Sequence, residues 1–111
     1  MQKQFRIRKN SQFQYVYRRG KNQAARELSV VYLKSGRLKV GFSVSKKVGK
    51  AVTRNLVKRR LRAAFTTLIP QLKPGLYIVT ARPLAAEADY QTLLRSLRYV
   101  LRKHNLFQET P

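Results

Sequence analysis

The sequence lacks cysteine and is poor in acidic residues. It has no Cys, four Asp or Glu and one His among its 111 residues. Without cysteine, the chain has no disulfide, no thiolate metal ligand and no cysteine nucleophile. A metal-dependent nuclease needs carboxylates gathered around one or two ions, and the only acids are Glu27, Glu87, Asp89 and Glu109. We expect Glu87 and Asp89 to cap a helix rather than to bind metal.

The sequence also lacks other catalytic signatures. His104 lies late in a basic helical segment, where a histidine most often interacts favourably with the helix dipole. Acid–base chemistry without a metal would need a second group, and none is evident. No glycine-rich phosphate loop is present. We therefore predict no catalytic residue, no metal ligand and no cofactor bound by the protein alone.

Long apolar segments are missing as well. No apolar run approaches the roughly 18 residues needed to cross a bilayer. The opening MQKQFRIRKN is basic but has no apolar core of a signal peptide. A peptide of the membrane surface would need one dominant amphipathic helix with aromatic anchors, and the strand patterns described below argue against it. We expect a cytoplasmic protein that does not bind membranes.

Basic residues are abundant instead. The chain has 25 Lys or Arg, a formal net charge of +21, and 43% hydrophobic residues. The length and hydrophobic content are those of one folded domain, residues 1–111. Self-repulsion of this size opposes a compact state, and a polyanion would relieve it. Nucleic acid is the best-fitting partner, with an anionic membrane surface as the alternative.

The hydrophobic pattern predicts an α+β fold in the order α-β-β-α-β-α, a small sheet packed with helices. Asn10 or Ser11 can cap a first helix that ends at Gly20. Residues 28–33 are rich in β-formers and predict a strand. Residues 38–44 alternate between apolar and polar and predict a second one. The short Ser-Gly turn between them predicts a hairpin.

The second half predicts helix, strand and helix. Thr53 is a plausible N-cap for a helix that runs to about Leu68 and stops before Pro70. Residues 76–81 predict a third strand, and a last helix starts near Asp89. Its expected apolar face contains Tyr90, Leu93, Leu94, Leu97, Val100 and Leu101.

The helix predicted after Thr53 has two distinct faces. At 100° per residue, its apolar side gathers Val57, Leu61, Ala64, Phe65 and Leu68. Arg54, Lys58 and Arg62 follow each other at i, i+4 and i+8, and Asn55 and Arg59 run beside them. Like charges at this spacing destabilise a helix, and no acid in the segment offsets them. A solvated helix usually mixes charge signs, so we interpret the basic face as a binding surface for RNA.

The residue types on this face suit RNA chemistry. Arginine binds phosphate with two donors, and asparagine can reach a phosphate, a 2′-OH or a base edge. Lys46, Lys47 and Lys50 lie just ahead of the helix, next to Gly49, which allows close backbone approach.

The stretch SVSKKVGKAVTRNLVKRRLR, residues 43–62, resembles the signature of the protein subunit of bacterial ribonuclease P. The matching parts are the end of the strand before Lys46 and Lys47, then Gly49, the Arg54-Asn55 pair, and the cations that follow it. FRIRKNSQFQYVY is similar to the first helix of that family, and YIVTARP to its last strand. The length and element order agree with the family over nearly the whole chain.

The resemblance implies the function of a non-catalytic subunit. In this family an RNA subunit binds the Mg²⁺ ions and removes the 5′ leader of precursor tRNA. The protein binds that RNA and the single-stranded leader, and improves affinity for substrate and metal ions. The implied complex contains one protein and one RNA.

The resemblance also implies site residues and a fold. The predicted RNA-binding set is Lys46, Lys47, Lys50, Arg54, Asn55, Lys58, Arg59, Arg60 and Arg62, in which Arg60 is included by the hypothesis given below and not by the resemblance. The set for the leader cleft, between the first helix and the sheet, is Phe13, Tyr17, Val31 and Ser43. Spacing alone is also compatible with Phe13 and Tyr17 as core residues. The implied fold is ribosomal protein S5 domain 2-like, with a left-handed βαβ crossover around the basic helix.

One position departs from the family pattern. The family usually has Arg-Asn-Arg, and here the third residue is Leu56. Arg60 lies one turn later on nearly the same side of the helix, where the family often has an apolar residue. Our hypothesis is that the positive charge has moved from position 56 to position 60.

Two other function classes fit parts of the sequence. A ribosomal protein shares the charge and size, but typically adds long basic tails, whereas this chain is predicted to fold nearly end to end. An autonomous nuclease is disfavoured by the shortage of acids.

Overall fold

The computed structural model describes residues 3–108, so Glu109 lies outside the described part. The fold is α+β, as predicted, with three helices and a four-stranded sheet. The elements are α1 (Asn10–Arg19), β1 (Lys21–Ala24), β2 (Leu28–Lys34), β3 (Lys39–Val44), α2 (Ala51–Leu68), β4 (Gly75–Ala81) and α3 (Tyr90–Lys103). Short 3₁₀ turns occupy Lys3–Phe5, Lys46–Val48, Ile69–Gln71 and Pro83–Glu87.

Some of the predicted helix ends and caps are confirmed by the structure, and others are not. Gly20 ends α1 and Asp89 caps α3, as predicted. The Asp89 carboxylate accepts a 2.8 Å hydrogen bond from the backbone N–H of Thr92, and this bond lowers the pKa of the carboxyl. The predicted cap at Thr53 is wrong. The N-cap of α2 is Lys50, three residues earlier, because Gly49 ends the preceding turn and the Lys50 carbonyl accepts the first helical bond.

The start of α1 also differs from the prediction. Its N-cap is Lys9, which makes no side-chain capping bond, so Asn10 and Ser11 lie in the first helical turn.

The strand order is β1-β2-β4-β3, so the predicted hairpin between β2 and β3 is wrong. Strand β4 lies between them, antiparallel to β2 and parallel to β3. The physical reason is burial on both faces. Tyr77, Ile78 and Val79 are consecutive and fully buried, because apolar clusters cover both faces of β4.

Strand β1 was not predicted, and it forms the antiparallel hairpin with β2 instead. Its sequence, KNQA, has no apolar alternation because it is an exposed edge strand. The parallel β3–α2–β4 crossover of the implied fold is present. Its left-handedness stays a prediction.

The sheet separates two apolar clusters. On one face, α2 and α3 cover the larger cluster, which includes all five predicted apolar residues of α2. The predicted face of α3 is also confirmed: Leu93, Leu97, Val100 and Leu101 are buried, while Tyr90 and Leu94 are partly buried. On the other face, α1 covers a smaller cluster of Ile7, Val16, Val31 and Ile78. Within residues 3–108, no helix combines the length and the apolar character required to cross a membrane.

Candidate nucleic-acid interface

Helix α2 turns its basic side away from the core. Asn55 and Arg59 are exposed, and Arg54, Lys58 and Arg62 are half-buried along the edge of the helix. The apolar side is fixed by the larger cluster, so the basic residues are forced to share the remaining surface. The Arg54 Nε donates a 3.1 Å bond to the Gly49 carbonyl, which joins the helix to the loop before it.

The loop before α2 extends the basic surface. Lys46, Lys47 and Lys50 are exposed. Gly49 has φ +154°, a conformation that favours glycine, and a Cβ there would lie 3.1 Å from the Thr53 Cγ2. The structure therefore brings the three predicted lysines to the N-terminal end of the basic helix.

Arg60 differs from the other predicted RNA-binding residues. Its Nη1 donates a 2.9 Å hydrogen bond to the Ala88 carbonyl, beside the cap of α3. Leu56 is 37% exposed and leaves an apolar spot one turn earlier. The hypothesis that Arg60 supplies the cation missing at position 56 stays a prediction, and this contact favours a structural role for Arg60.

The N-terminal segment brings further cations to α2. The Ile7 amide donates a 2.9 Å bond to the Val40 carbonyl on the outer edge of β3. This contact positions Arg6 and Arg8 at a cavity of about 540 Å³ that also touches Lys58 and Arg62. Phe13 and the middle of β3 form the rest of its wall. Among the described residues that line it, none is acidic.

Arg62 is electrostatically frustrated in this cavity. Burial lowers the pKa of its guanidinium, and the nearby charge of Arg6 lowers it further. Its Nε is buried and, among residues 3–108, has no hydrogen-bond partner. A buried donor without an acceptor costs free energy, and so does an unshielded like charge. An anion in the cavity would offset the like charges of Arg6 and Arg62, so the four cations form a site suited to phosphate.

The sequence analysis did not identify Arg6 and Arg8. Their role depends on a bond between distant segments, Ile7 and Val40, which no local pattern indicates. The only local signal was their positive charge within the opening segment.

The second predicted surface lies between α1 and the sheet. Val31 is only 6% exposed and belongs to the small core cluster under α1. Phe13 is half-buried and packs over Gly41, where a Cβ would come within 2.5 Å of the Phe13 Cζ. These two residues form the floor of the cleft. Tyr17 is 43% exposed, its ring centroid 6.5 Å from that of Phe13.

Hydroxyl groups form a row next to Tyr17. Ser29 and Ser43 are in register with Thr80 from either side, and side chains in register point to the same face. The Tyr17 and Thr80 hydroxyls share a 3.2 Å hydrogen bond. Ser43 was predicted for this cleft, whereas Ser29 and Thr80 were missed. The sequence feature that could have identified Ser29 and Thr80 is that each is a polar residue within an otherwise apolar strand.

Glu27, Asp89 and His104 are engaged in structural contacts, whereas Glu87 is exposed. The Ser96 hydroxyl donates to the Glu27 carboxylate at 2.5 Å, Asp89 caps α3, and the His104 Nε2 lies 2.9 Å from the Val30 carbonyl. Across residues 3–108, no three His, Asp or Glu side chains are grouped closely enough to hold a metal ion.

Comparisons with known proteins agree on one family. The family model described as Ribonuclease P matches residues 1–105. The ribonuclease P protein component of Listeria welshimeri is 43% identical over 115 residues, covering 100% of this chain and 97% of that protein. The same component of Geobacillus thermodenitrificans is 44% identical over 107 residues, covering 93% and 88%.

Solved structures show the same similarity. The RNase P protein of Staphylococcus aureus matches with a TM-score of 0.87 and 34% identity, over 94% of this chain and 98% of that one. The RNase P protein of Thermotoga maritima matches with a TM-score of 0.79 and 27% identity, over 88% and 96%.

The frustration at Arg62 predicts an unusual stability change. We expect Arg62→Gln to raise the Tm in low-salt buffer without sulfate, because it removes the repulsion with Arg6. Sulfate should raise the Tm of the unmodified chain by binding the folded cavity, and raise that of Arg62→Gln much less. Thermal unfolding across a sulfate titration measures both effects.

The matched control is Arg37→Gln, which removes one exposed charge in the turn between β2 and β3. It should leave the sulfate response unchanged. If sulfate raised the Tm of Arg62→Gln and Arg37→Gln equally, sulfate would be acting on overall charge and the cavity would not be an anion site.

Proposed function

The chain belongs to the family of bacterial ribonuclease P protein subunits, and from this membership we propose that it binds the RNA subunit through the basic side of α2. The observation that carries the proposal is the cavity that Arg6, Arg8, Lys58 and Arg62 line, with no acid among its described lining residues. Two phosphate oxygens could accept from the guanidinium fork of Arg6, Arg8 or Arg62, which all line the cavity. The adjoining Arg54, Asn55 and Arg59 would extend the contact along the RNA.

The enzymatic role of the chain follows from membership of an endoribonuclease complex that processes tRNA. We propose that the RNA subunit carries out the cleavage and binds the Mg²⁺ ions that supply the activated water and stabilise the leaving oxygen. The protein contributes cations and binding surface. This division agrees with the structural contacts of Glu27, Asp89 and His104 described above. The proposed complex contains one protein and one RNA.

The cleft under α1 is proposed to hold the single-stranded leader of precursor tRNA. Tyr17 offers an exposed ring for stacking, which tolerates any base sequence. The hydroxyls of Ser43 and Thr80 can donate to phosphate or to a 2′-OH. Phe13 and Val31 support this surface from below rather than stacking on a base, since Val31 is almost fully buried.

Strand β3 connects the two proposed contacts. Val40 and Phe42 face the α2 side and pack with the larger cluster, whereas Gly41 and Ser43 face the cleft. The cavity itself touches both Phe13 and Lys58. One rigid strand would therefore set the distance between the docked RNA and the leader. Holding the leader in place would raise substrate affinity, and it would also position the phosphate oxygens that bind the productive metal ions, which raises the affinity for those ions.

The first test is cleavage of precursor tRNA by a bacterial ribonuclease P RNA at near-physiological magnesium. We expect the chain to stimulate cleavage only when the RNA is present. Arg54→Ala and Arg62→Ala should reduce the stimulation by weakening docking, each by about 1.5–3 kcal/mol for a lost charged hydrogen bond. Arg60→Ala should leave it close to unchanged, because this side chain bonds to Ala88.

Two outcomes would contradict the proposal. An absence of stimulation with a cognate RNA would exclude a role in this reaction and favour a ribosomal or assembly role. Cleavage by the chain alone would mean that the protein carries an active site. A loss of stimulation in Arg60→Ala at unchanged stability would instead support the hypothesis of a displaced cation.

The leader contact has a separate test. Tyr17→Leu should weaken binding of precursor tRNA to the assembled complex by about tenfold, the loss expected for one stacked base. It should not change binding of a tRNA without a leader. The control is Tyr15→Leu, which alters an equally exposed tyrosine of α1. Equal effects on substrates with and without a leader would rule out this role for Tyr17.

A further inference from the structure

A second groove lies away from both proposed RNA contacts. It has a volume of about 670 Å³ and is bounded by α3, the loop from β1 to β2, and the segment after β4. No described residue of α1, α2 or β3 lines it. It is therefore not an extension of the basic cavity or of the cleft under α1.

The floor of the groove is held by hydrogen bonds. The backbone N–H of Arg82 donates to the Glu27 carbonyl at 2.9 Å, and its guanidinium donates to the Ala25 carbonyl at 2.9 Å. The Glu27 carboxylate accepts from Ser96 on α3. These bonds tie the β1–β2 loop to β4 and α3, so the groove is preformed and binding would not need to order it first.

The walls expose flat and apolar surface. Tyr99 is 52% exposed and Leu84 is 46% exposed, and both line this slot together with the small side chains of Ala24 and Ala25. The Nζ of Lys103 lies 5.3 Å from the centroid of the Tyr99 ring. Such a slot fits a planar apolar ring, and the cation beside the tyrosine favours an electron-rich one.

The charges around the slot favour an anion. Arg26, Arg82 and Arg95 line the groove against the single carboxylate of Glu27, which is already bonded to Ser96. Helix α3 contains no acid, and its exposed Arg98 and Arg102 continue the positive charge beyond the groove, about one cation per turn. This surface matches a ligand that joins a planar ring to a negative group. The row of cations beyond the groove further suits a ligand that continues as a chain of negative groups.

We propose that this groove binds an unpaired nucleotide of RNA, with the base between Tyr99 and Leu84 and its phosphate on Arg95 and the neighbouring arginines. Arg98 and Arg102 bind the phosphates that follow. An acidic peptide would satisfy the arginines but would not use the slot between the tyrosine and the leucine. The contact goes beyond the proposed docking on α2 and does not depend on it.

The test is a residue-resolved NMR titration of the full chain with adenosine 5′-monophosphate. Amide signals of Ala25, Ser96 and Tyr99 should shift together. Tyr99→Leu, which keeps apolar bulk but removes the ring, should weaken the affinity measured at Ala25 by about tenfold. The matched control is Tyr15→Leu, since Tyr15 is also exposed and has a cation, Arg19, over its ring, but does not line the groove.

Three further probes separate the alternatives. Ribose 5-phosphate and adenosine should each bind the groove at least tenfold more weakly than the nucleotide, because each lacks one half of the contact. Equal binding of ribose 5-phosphate would reduce the groove to an anion site and overturn the proposal. Tighter binding of hexaglutamate than of the nucleotide would overturn it in favour of an acidic peptide, and unshifted groove signals would overturn it outright.

The same titration distinguishes this proposal from the docking on α2. Arg62→Gln should remove nucleotide-induced shifts around the basic cavity and leave those at Ala25, Ser96 and Tyr99 unchanged. If Arg62→Gln abolished the groove shifts as well, the groove would not be an independent contact and the proposal would fail.

Discussion

The structure depends on positive charges that the protein itself does not neutralise. Apolar packing fixes α2, and a backbone hydrogen bond anchors the N-terminal segment on β3. Together these contacts hold Arg62 near Arg6, with a buried Nε that has no hydrogen-bond partner among residues 3–108. The arrangement costs folding free energy in the isolated chain and becomes favourable when a phosphate enters. The apolar contacts that stabilise the domain thus also hold the cations in position before a polyanion binds.

The sheet fixes the position of this charged surface relative to the cleft under α1. Because β4 is central, β3 becomes an edge strand that the opening segment can join through Ile7. One side of β3 supports α2 and the other faces the cleft with Tyr17 and Ser43. Binding surfaces on opposite sides of one strand can act on two parts of an RNA assembly without any moving element.

Much of this could be predicted from sequence because the signals were local. The faces of α2 and α3 follow from helical periodicity, and the uniform charge of α2 is the local signal behind the proposal that it binds RNA. The sequence was less informative where contacts between distant segments determine the strand order or the members of the site. The short turn before Leu38 suggested a hairpin, but the doubly buried β4 takes the place beside β2. The hypothesis that Arg60 replaces the cation missing at position 56 came from helical spacing alone and stays a prediction, and the bond of Arg60 to Ala88, 28 residues away, is a contact that spacing does not indicate. Arg6 becomes part of the site only through the contact of Ile7 with Val40.

The most direct test of the central claim is the salt dependence of affinity for ribonuclease P RNA. If the basic surface neutralises roughly six to ten phosphates, affinity should fall by about 10³–10⁵ between low and moderate salt. Arg62→Gln should reduce the slope of log affinity against log salt by about one, the loss of one phosphate contact. A shallow slope, or one that Arg62→Gln leaves unchanged, would contradict the claim that this cavity is where the protein meets RNA.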